Sequence, residues 1–450
     1  EGTLAEMTLF ELPEPEPPAS ARATRPEDAR VLKPVLRQQM DFLPRSLEEA
    51  LPEDHPARAI WSFLERMDLS AFYGDIKAVL DRPGRPTTDP RVLLALWLLA
   101  TVEGVGSARR LDRLCKEHDA YRWLCGGVPI NYHMLSDFRV AHQAALDDLL
   151  TQIVATLMAA GAVTLQGVAQ DGIRVRASAG ASSFRRKDPL KQCLKAARAR
   201  VRQLAREREN PDPGVNRRQL AARERAARER EERVEQALAY LPEAQAAKER
   251  QRQKHSTAKR EKLTAPRVSS TDPEARVMKM PDGGFRPAYN LQIATDEASG
   301  VILGVAVTNE GTDANQAVPM EEQVERRTGR HPEKYLVDGG FASRDSITGL
   351  EGRGVTVYAP VRTPKNKPEE ERYRPRYQDT PEVAAWRERM ATEEAKAIYK
   401  RRGAVAEWTN AQLGLHGLSR FTVRGIAKVT TVGLLLAVAH NMLRWMTLVA

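Results

Sequence analysis

The sequence predicts an α/β chain: an all-helical first third, then a sheet flanked by helices, interrupted by a charged helical insertion. Three observations predict it. Apolar residues recur at helical spacing through residues 48–160. At 163 the pattern changes to short apolar strands, which resume near 277 and alternate with helices toward the end. Between these strands, from Arg185 to Lys262, stand 24 Lys/Arg against 12 Asp/Glu, a difference of +12. The whole chain of 450 residues carries +10, so this insertion accounts for the basicity. A chain of this length exceeds one simple core, and two or three domains are expected.

Residues 1–47 are rich in Pro and Glu near the start and lack apolar periodicity, which predicts a mobile arm. Residues 48–160 form the helical domain. In "HPARAIWSFLERMDL", Ile60, Phe63, Leu64 and Met67 share helical spacing. "TDPRVLLALWLLATVEG" offers Asp89 as N-cap and Pro90 at the first helical position. "VGSARRLDRLCKEHDAYRWLCGG" opens after Gly104 and Gly106 with Ser107 as cap; Leu111, Leu114 and His118 share one face, and Arg109, Arg110, Arg113 and Lys116 surround it. Helix, glycine-bearing turn and basic second helix are compatible with a helix-turn-helix on DNA, or with a plain bundle having a solvated basic face. "NYHMLSDFRVAHQAALDDLLTQIVATLMAAG" adds one or two helices.

Residues 161–184 and 263–450 make the α/β part, with 185–262 as the insertion. "VTLQGVAQDGIRVRASA" reads as a strand pair or one long strand with Asp171 near its centre. The insertion reads as two antiparallel Ala/Arg/Glu/Lys helices broken near residues 210–214, either a solvated arm or an arm lying on phosphates. "VMKMPDGGFRPAYNLQIATD" and "VILGVAVTN" read as a hairpin, and "DANQAVPMEEQVERRTG" as a helix with Asp313 near its start. "KYLVDGG" is the next strand, "SRDSITGLEGRG" a helix capped by Ser343, and "VTVYAPVR" the fifth strand. A polar, Pro-rich connection (364–382) leads to a long helical region from about 383, and the last helix is expected to begin at "FTVRG".

The composition excludes several classes. Three cysteines, Cys115, Cys125 and Cys193, are too few and too scattered for a disulfide framework or a zinc site, and they fit a reducing cytoplasm. The opening residues show no basic segment followed by an apolar run, so no signal peptide is expected. The most apolar run, "VGLLLAVA" (432–439), is too short to span a bilayer. A soluble protein with a polyanionic partner, nucleic acid first, is the expectation.

The chemistry is sought in acids at strand ends. In "EKYLVDGGFASRDS" the apolar strand ends on Asp338, followed by Gly339 and Gly340; "VTLQGVAQD" likewise ends on Asp171, followed by Gly172. Asp-Gly is ordinary turn chemistry, but two aspartates on two strand ends, each with a glycine next, form a repeated device. Magnesium takes oxygen ligands, and two such ions about 3.5–4 Å apart can activate water and stabilise a leaving oxygen of a phosphodiester. A third acid is sought in the last helical region. Glu407 is the candidate: in "YKRRGAVAEWTNAQLG", Tyr399, Arg402, Glu407 and Asn410 fall within an arc of about 140° on a continuous helix.

The ordered set "VAQDGIRV", "AYNLQIATD", "YLVDGGF" and "YKRRGAVAEWTNAQ…RFTVRGIAKV" resembles the DDE transposases of bacterial insertion sequences, in the branch with a tyrosine–arginine–glutamate helix and an N-terminal helical domain. The resemblance covers roughly residues 48–450. It implies an RNase H-like fold, a mixed five-stranded sheet flanked by helices, with Asp171 on the first strand, Asp338 after the fourth and Glu407 on the helix after the fifth. These three would be the catalytic and metal-binding acids, with two Mg²⁺ ions for which Mn²⁺ can substitute. Tyr399 and Arg402 match the family's tyrosine and arginine. Four residues stand between Arg402 and Glu407 where three are frequent, and Gly414 stands where a phosphate-gripping lysine is expected; Arg420, Arg424 or Lys428 are the substitutes. With Asn410, and with Arg109, Arg110 and Arg113 of the helical domain, these are the expected DNA contacts.

Raised carboxylate pKa values and a strained or open site are expected without cations. Tyr289, Asn290 and Gln292 resemble family positions near the site, with Tyr289 read as core; Asp296 and Asp313 are read as turn and cap residues. Trp408 is read as core, or as a platform for a displaced base. His118, His133 and His142 are read as structural or surface groups. The function implied is binding of terminal inverted repeats in double-stranded DNA, hydrolysis to free a 3′-hydroxyl, and strand transfer into target DNA by a homodimer in the cytoplasm, associated with the nucleoid and with no membrane partner. The same acids would serve an RNase H-like nuclease that cuts without joining. The presence of all three argues against a domesticated DNA-binding protein.

Overall fold

The computed structural model describes residues 44–74, 76, 87–209, 216–253, 265–362 and 371–449. Residues 1–43 of the expected arm, the break at 210–214 and residues 363–370 of the Pro-rich connection lie outside them. The chain divides into two units, Glu1–Ser46 and Leu47–Ala450. The architecture below is that of the second.

Seven helices precede the sheet among the described residues: α1 (Pro56–Glu65), α2 (Ser70–Tyr73), α3 (Pro90–Val102), α4 (Ala108–Glu117), α5 (Asp119–Cys125), α6 (Tyr132–Ala141) and α7 (Gln143–Ala159). The cap signals act as expected. Asp89 accepts the Arg91 N–H at 2.8 Å, and Ser107 Oγ accepts that of Arg110 at 3.4 Å. α3 is apolar all round and is buried from Val92 to Thr101, so it is the axis of the bundle. The single helix expected after Ser107 is two: His118 ends α4, and its Nδ1 accepts the Ala120 N–H at 3.3 Å to start α5.

The next elements are β1 (Val168–Arg176), β2 (Phe184–Arg185), α8 (Lys187–Glu209), α9 (Arg217–Ala239), α10 (Leu241–Gln253), β3 (Val268–Ser269), β4 (Arg276–Lys279), β5 (Phe285–Asp296) and β6 (Ile302–Thr308). β1 is one long strand, so Asp171 sits within it rather than at its end. The segment expected as the first arm of a hairpin is two strands, β4 and β5, with Met280 accepting the Gly283 N–H across the turn between them. The insertion holds three helices where two are expected, and α8 and α9 pair as a hairpin. Arg198 pairs with Glu231 and Glu235 across it, and Arg208 and Arg228 converge on Glu224. Leu190, Val234, Ala237, Leu241, Ala244 and Val268 make a core of its own, and the β2–β3 ladder closes its base.

The chain finishes with α11 (Ala317–Thr328), β7 (Lys334–Leu336), α12 (Arg344–Glu351), β8 (Thr356–Tyr358), α13 (Pro381–Ala391), α14 (Glu393–Leu415) and α15 (Ile426–Leu448). Six of the strands form one mixed sheet, in the order β4-β5-β1-β7-β8, with β6 also on β5. β5 runs antiparallel to β1 and β6; β7 runs parallel to β1 and β8. The sheet is therefore the expected five strands plus β4, a short strand on the same edge of β5 as β6. Leaving β4 aside, Asp338 follows the fourth strand. Glu407 stands on the second helix after the fifth, because α13 intervenes.

Side-chain alternation sorts the helices onto two faces. Asp171 pairs with Ile293, and a Cβ at Gly433 of α15 would meet Leu291 and Val305 of that same face. Gly172 pairs with Gln292, and Met320 of α11 packs on Gly304 of that opposite face. α15 is long and apolar enough to cross a membrane by length and composition, but two-thirds of its most apolar window is buried in the core. It starts later than expected, after Gly425. Asp272 accepts the Gly425 N–H at 3.2 Å and Glu274 that of Ile426 at 2.9 Å, so acids distant in sequence cap it. The helical region and the sheet join through one core. At the seam, Gly104 (φ 68°) after α3 meets Gly417 (φ 82°) after α14; a Cβ on Gly417 would lie 3.0 Å from the Gly104 Cα and carbonyl oxygen.

Candidate active site

β1 presents Asp171 on the face covered by α14. Its Oδ1 accepts its neighbour's Gly172 N–H at 2.9 Å, and its Oδ2 accepts the Asn410 amide at 2.9 Å. Arg402 of the same helix stands 3.9 Å away, with its Nη1 buried and without a hydrogen-bond partner. α14 runs unbroken through Gly403, so Arg402 and Asn410 reach one carboxylate from a single face. Burial pushes the Asp171 carboxyl above its ordinary value; the Gly172 N–H, the Asn410 amide and Arg402 oppose this, and the charge of Asp338 adds to it. The raised value expected of the site holds for this group.

Parallel pairing of Val168 with Tyr335 and Ala169 with Leu336, continued by two residues, sets Asp338 beside Asp171. Asp338 Oδ1 accepts the Gly340 N–H at 2.7 Å, and Ser343 caps α12 as expected through the Ser346 N–H at 3.1 Å. The glycines serve close approach. A Cβ on Gly340 would lie 2.8 Å from Asp338 Oδ1 and 3.5 Å from Asp313 Oδ2; one on Gly172 would lie 2.5 Å from Asp313 Oδ1. Gly172, Gly339 and Gly340 all have negative φ, so no left-handed backbone strain is stored here.

Asp313 is a correction to the sequence reading. It does not cap α11, whose N-cap is Gln316 without a side-chain bond. Its Oδ1 accepts the amides of Asn290 at 2.6 Å and Gln292 at 2.7 Å, and Arg174 stands 3.5 Å from its Oδ2. It lies under the glycines that follow both Asp171 and Asp338. Nothing local in "GTDANQ" signals this, because its partners come from β1 and β5. Asn290 is fully buried and its Oδ1 is left without a partner once its amide faces the carboxylate. Tyr289 is core, with its hydroxyl donating to Asp272 at 2.7 Å, and Asp296 is a turn residue accepting from Ser299, both as expected.

Glu407 is exposed on α14, one turn before Asn410, and makes no hydrogen bond or ion pair among the described residues. Tyr399 is half-buried on the same helix, with the Arg402 guanidinium 5.9 Å from its ring. Trp408 is not the core residue expected: it is exposed, and it packs edge-on against His440 at 5.6 Å, beneath Arg444 and against Gly300. Arg420, Arg424 and Lys428 are exposed between α14 and the first turn of α15, and Arg109, Arg110 and Arg113 are exposed on α4. No hydrogen bond or ion pair among the described residues joins any of these six to the three acids.

The oxygen donors of Asp171, within β1, and of Asp338, just past the end of β7, stand on adjacent strands and suit a hard divalent cation. A second acidic group, Glu321, Glu325 and His331, brings ligand atoms within 4.8 Å of one another. Arg353 occupies it, 2.6 Å from Glu321 and 2.5 Å from Glu325, so it is a salt-bridge network between α11 and the turn after α12.

Comparison with known proteins agrees with this geometry. The family description "Transposase domain (DUF772)" matches residues 45–141, the helical region, and "Transposase DDE domain" matches residues 255–442, which include Asp338 and the α14 cluster. No curated protein and no solved structure matches the chain. With a mixed sheet flanked by helices in the RNase H-like manner and both of these domains in order, the chain belongs to the DDE transposases of insertion sequences.

Proposed function

We propose that this transposase binds the terminal inverted repeats of its element, hydrolyses one phosphodiester at each end, and directs the freed 3′-hydroxyl at target DNA. The observation that carries this reading is the placement of Asp171 and Asp338 side by side on adjacent strands, with Asp171 held by Asn410 of α14. Asp171, Asp338 and Glu407 are assigned the catalytic and metal-binding roles, with Glu407 turning inward from its exposed position. Two Mg²⁺ ions, or Mn²⁺, held there would activate water and stabilise the leaving oxygen. The chain's own groups do the rest. Asn410 and the Gly172 N–H orient the Asp171 carboxylate, and Gly172 and Gly340 let Asp313 come close behind the two aspartates. Arg402, whose Nη1 faces Asp171 at 3.9 Å without a hydrogen bond, is placed to donate to a phosphate oxygen when the Asp171 charge is met by a cation. The helical region carries repeat recognition, two copies bring two ends together by symmetry, and the reaction takes place in the cytoplasm.

The test uses a supercoiled donor bearing the element's own ends, with Mg²⁺, comparing wild type and Asp338→Ala. Joined products that vanish in the variant are expected. Cleavage without joining in the wild type would favour a nuclease, and equal products from both proteins would leave Asp338 a turn residue.

A further inference from the structure

Away from the acids, the seam between the helical region and the end of α14 holds a half-open cavity of about 50 Å³, walled by Trp97, Arg139, His416, Arg420, Phe421 and Leu435 among others. At 10–15 Å³ per water, that is room for roughly four waters, or for one small oxyanion. Two of its polar residues are in unusual states. Arg139 is 7% exposed; its Nη1 donates to the Gly106 carbonyl at 2.6 Å and to Thr422 Oγ1 at 3.2 Å, and its guanidinium lies 4.5 Å from the Trp97 ring. Its Nε has no partner, and no carboxylate pairs with it among the described residues. Burial alone draws its pKa down to about 10. His416 is 8% exposed; its Nδ1 faces the Val102 carbonyl at 3.4 Å and its Nε2 has no partner. Arg420, exposed, stands on the same wall and has no ion pair among the described residues.

Burying an ionised guanidinium without a counter-charge is costly, and buried polar groups left unsatisfied call for an explanation. Waters would satisfy the orphaned nitrogens but leave the charge unmet. A wall with two arginines and no acid lacks an anion. We infer that this seam cavity is a phosphate-binding site formed by Arg139 and Arg420 and, resting on the DNA-binding function proposed above, that its occupant is a backbone phosphate of bound DNA. His416 would add a donor when protonated, keeping its Nδ1–H on Val102. The site differs from the one described above in both residues and position: it is built by α3, α6, α15 and the α14–α15 connection. It would make DNA part of the contact between the two regions of the chain.

The test is thermal unfolding of the full chain in sodium chloride and in sodium phosphate at equal ionic strength, for wild type, Arg420→Gln and Arg139→Met. Saturating phosphate is expected to raise the wild-type midpoint by about 2 °C, by less in Arg420→Gln, and not at all in Arg139→Met. Arg420 is a surface group, so its variant tests the cavity even where Arg139→Met does not fold. Equal midpoints in the two salts for wild type, or equal phosphate responses in wild type and Arg420→Gln, overturn the site. A short DNA duplex added at saturation separates the sources: it abolishes the phosphate response when DNA fills the cavity. A response that persists with the duplex bound overturns the DNA occupant and leaves free inorganic phosphate as the ligand.

Discussion

On the role proposed for it, Asp171 couples stability and chemistry in one carboxylate. Burial raises its pKa, so its ionised form is penalised in the folded chain. The penalty is fully present above the raised value and disappears below the ordinary carboxylate range. Asp171→Asn is therefore expected to unfold at a higher temperature than wild type at pH 7, with the gap closing as the pH falls toward 4, while joining is abolished. Thermal unfolding across pH checks the first part and the donor assay the second. Asp313→Asn keeps an acceptor for Asn290 and Gln292 but removes a charge beneath Gly172 and Gly340. Joining is expected to fall about tenfold, or about 1.4 kcal/mol, with DNA affinity unchanged; an undiminished rate would assign Asp313 to packing. Asp171 and Asp338 were legible in the sequence because each is followed by glycine in an apolar strand. Asp313, Arg139 and His416 were not, because the groups that give them meaning come from other strands and helices.

Among elements, β6 shows how an edge is closed. Its Ile302 N–H and carbonyl are taken by the amide of Asn441 on α15 at 2.8 and 2.7 Å, and those of Val305 by the amide of Gln323 on α11. Two side-chain amides thus stand where another strand would pair. Asn441→Ala would orphan two buried backbone groups, at about 2–3 kcal/mol, and denaturant unfolding should show a lower midpoint with an unchanged slope. The order of strands and helices was readable from periodicity and caps. Boundaries that depend on tertiary partners were not: α15 begins where Asp272 and Glu274 reach it, and α4 ends where His118 changes role from face residue to cap.

At the scale of the molecule, the insertion stands on its own core and enters and leaves through the paired strands β2 and β3. Replacing residues 187–266 by a short turn should leave the rest of the chain folded. If the hairpin lies on phosphates, its removal should make the slope of log affinity against log salt shallower by about 0.9 for each phosphate it neutralises; an unchanged slope would make the hairpin a solvated arm. Its position between strands was plain from charge and composition, whereas its separate core was not, since Val268 joins it from a strand beyond the helices. The other junction is of a different kind. Where Gly104 meets Gly417, main chain touches main chain, and no side chain can be trimmed or enlarged to absorb a misfit. The first third cannot be treated as an interchangeable module. A hybrid that takes its helical region from one relative and its carboxyl-terminal part from another keeps this seam only if both turns arrive with matching curvature.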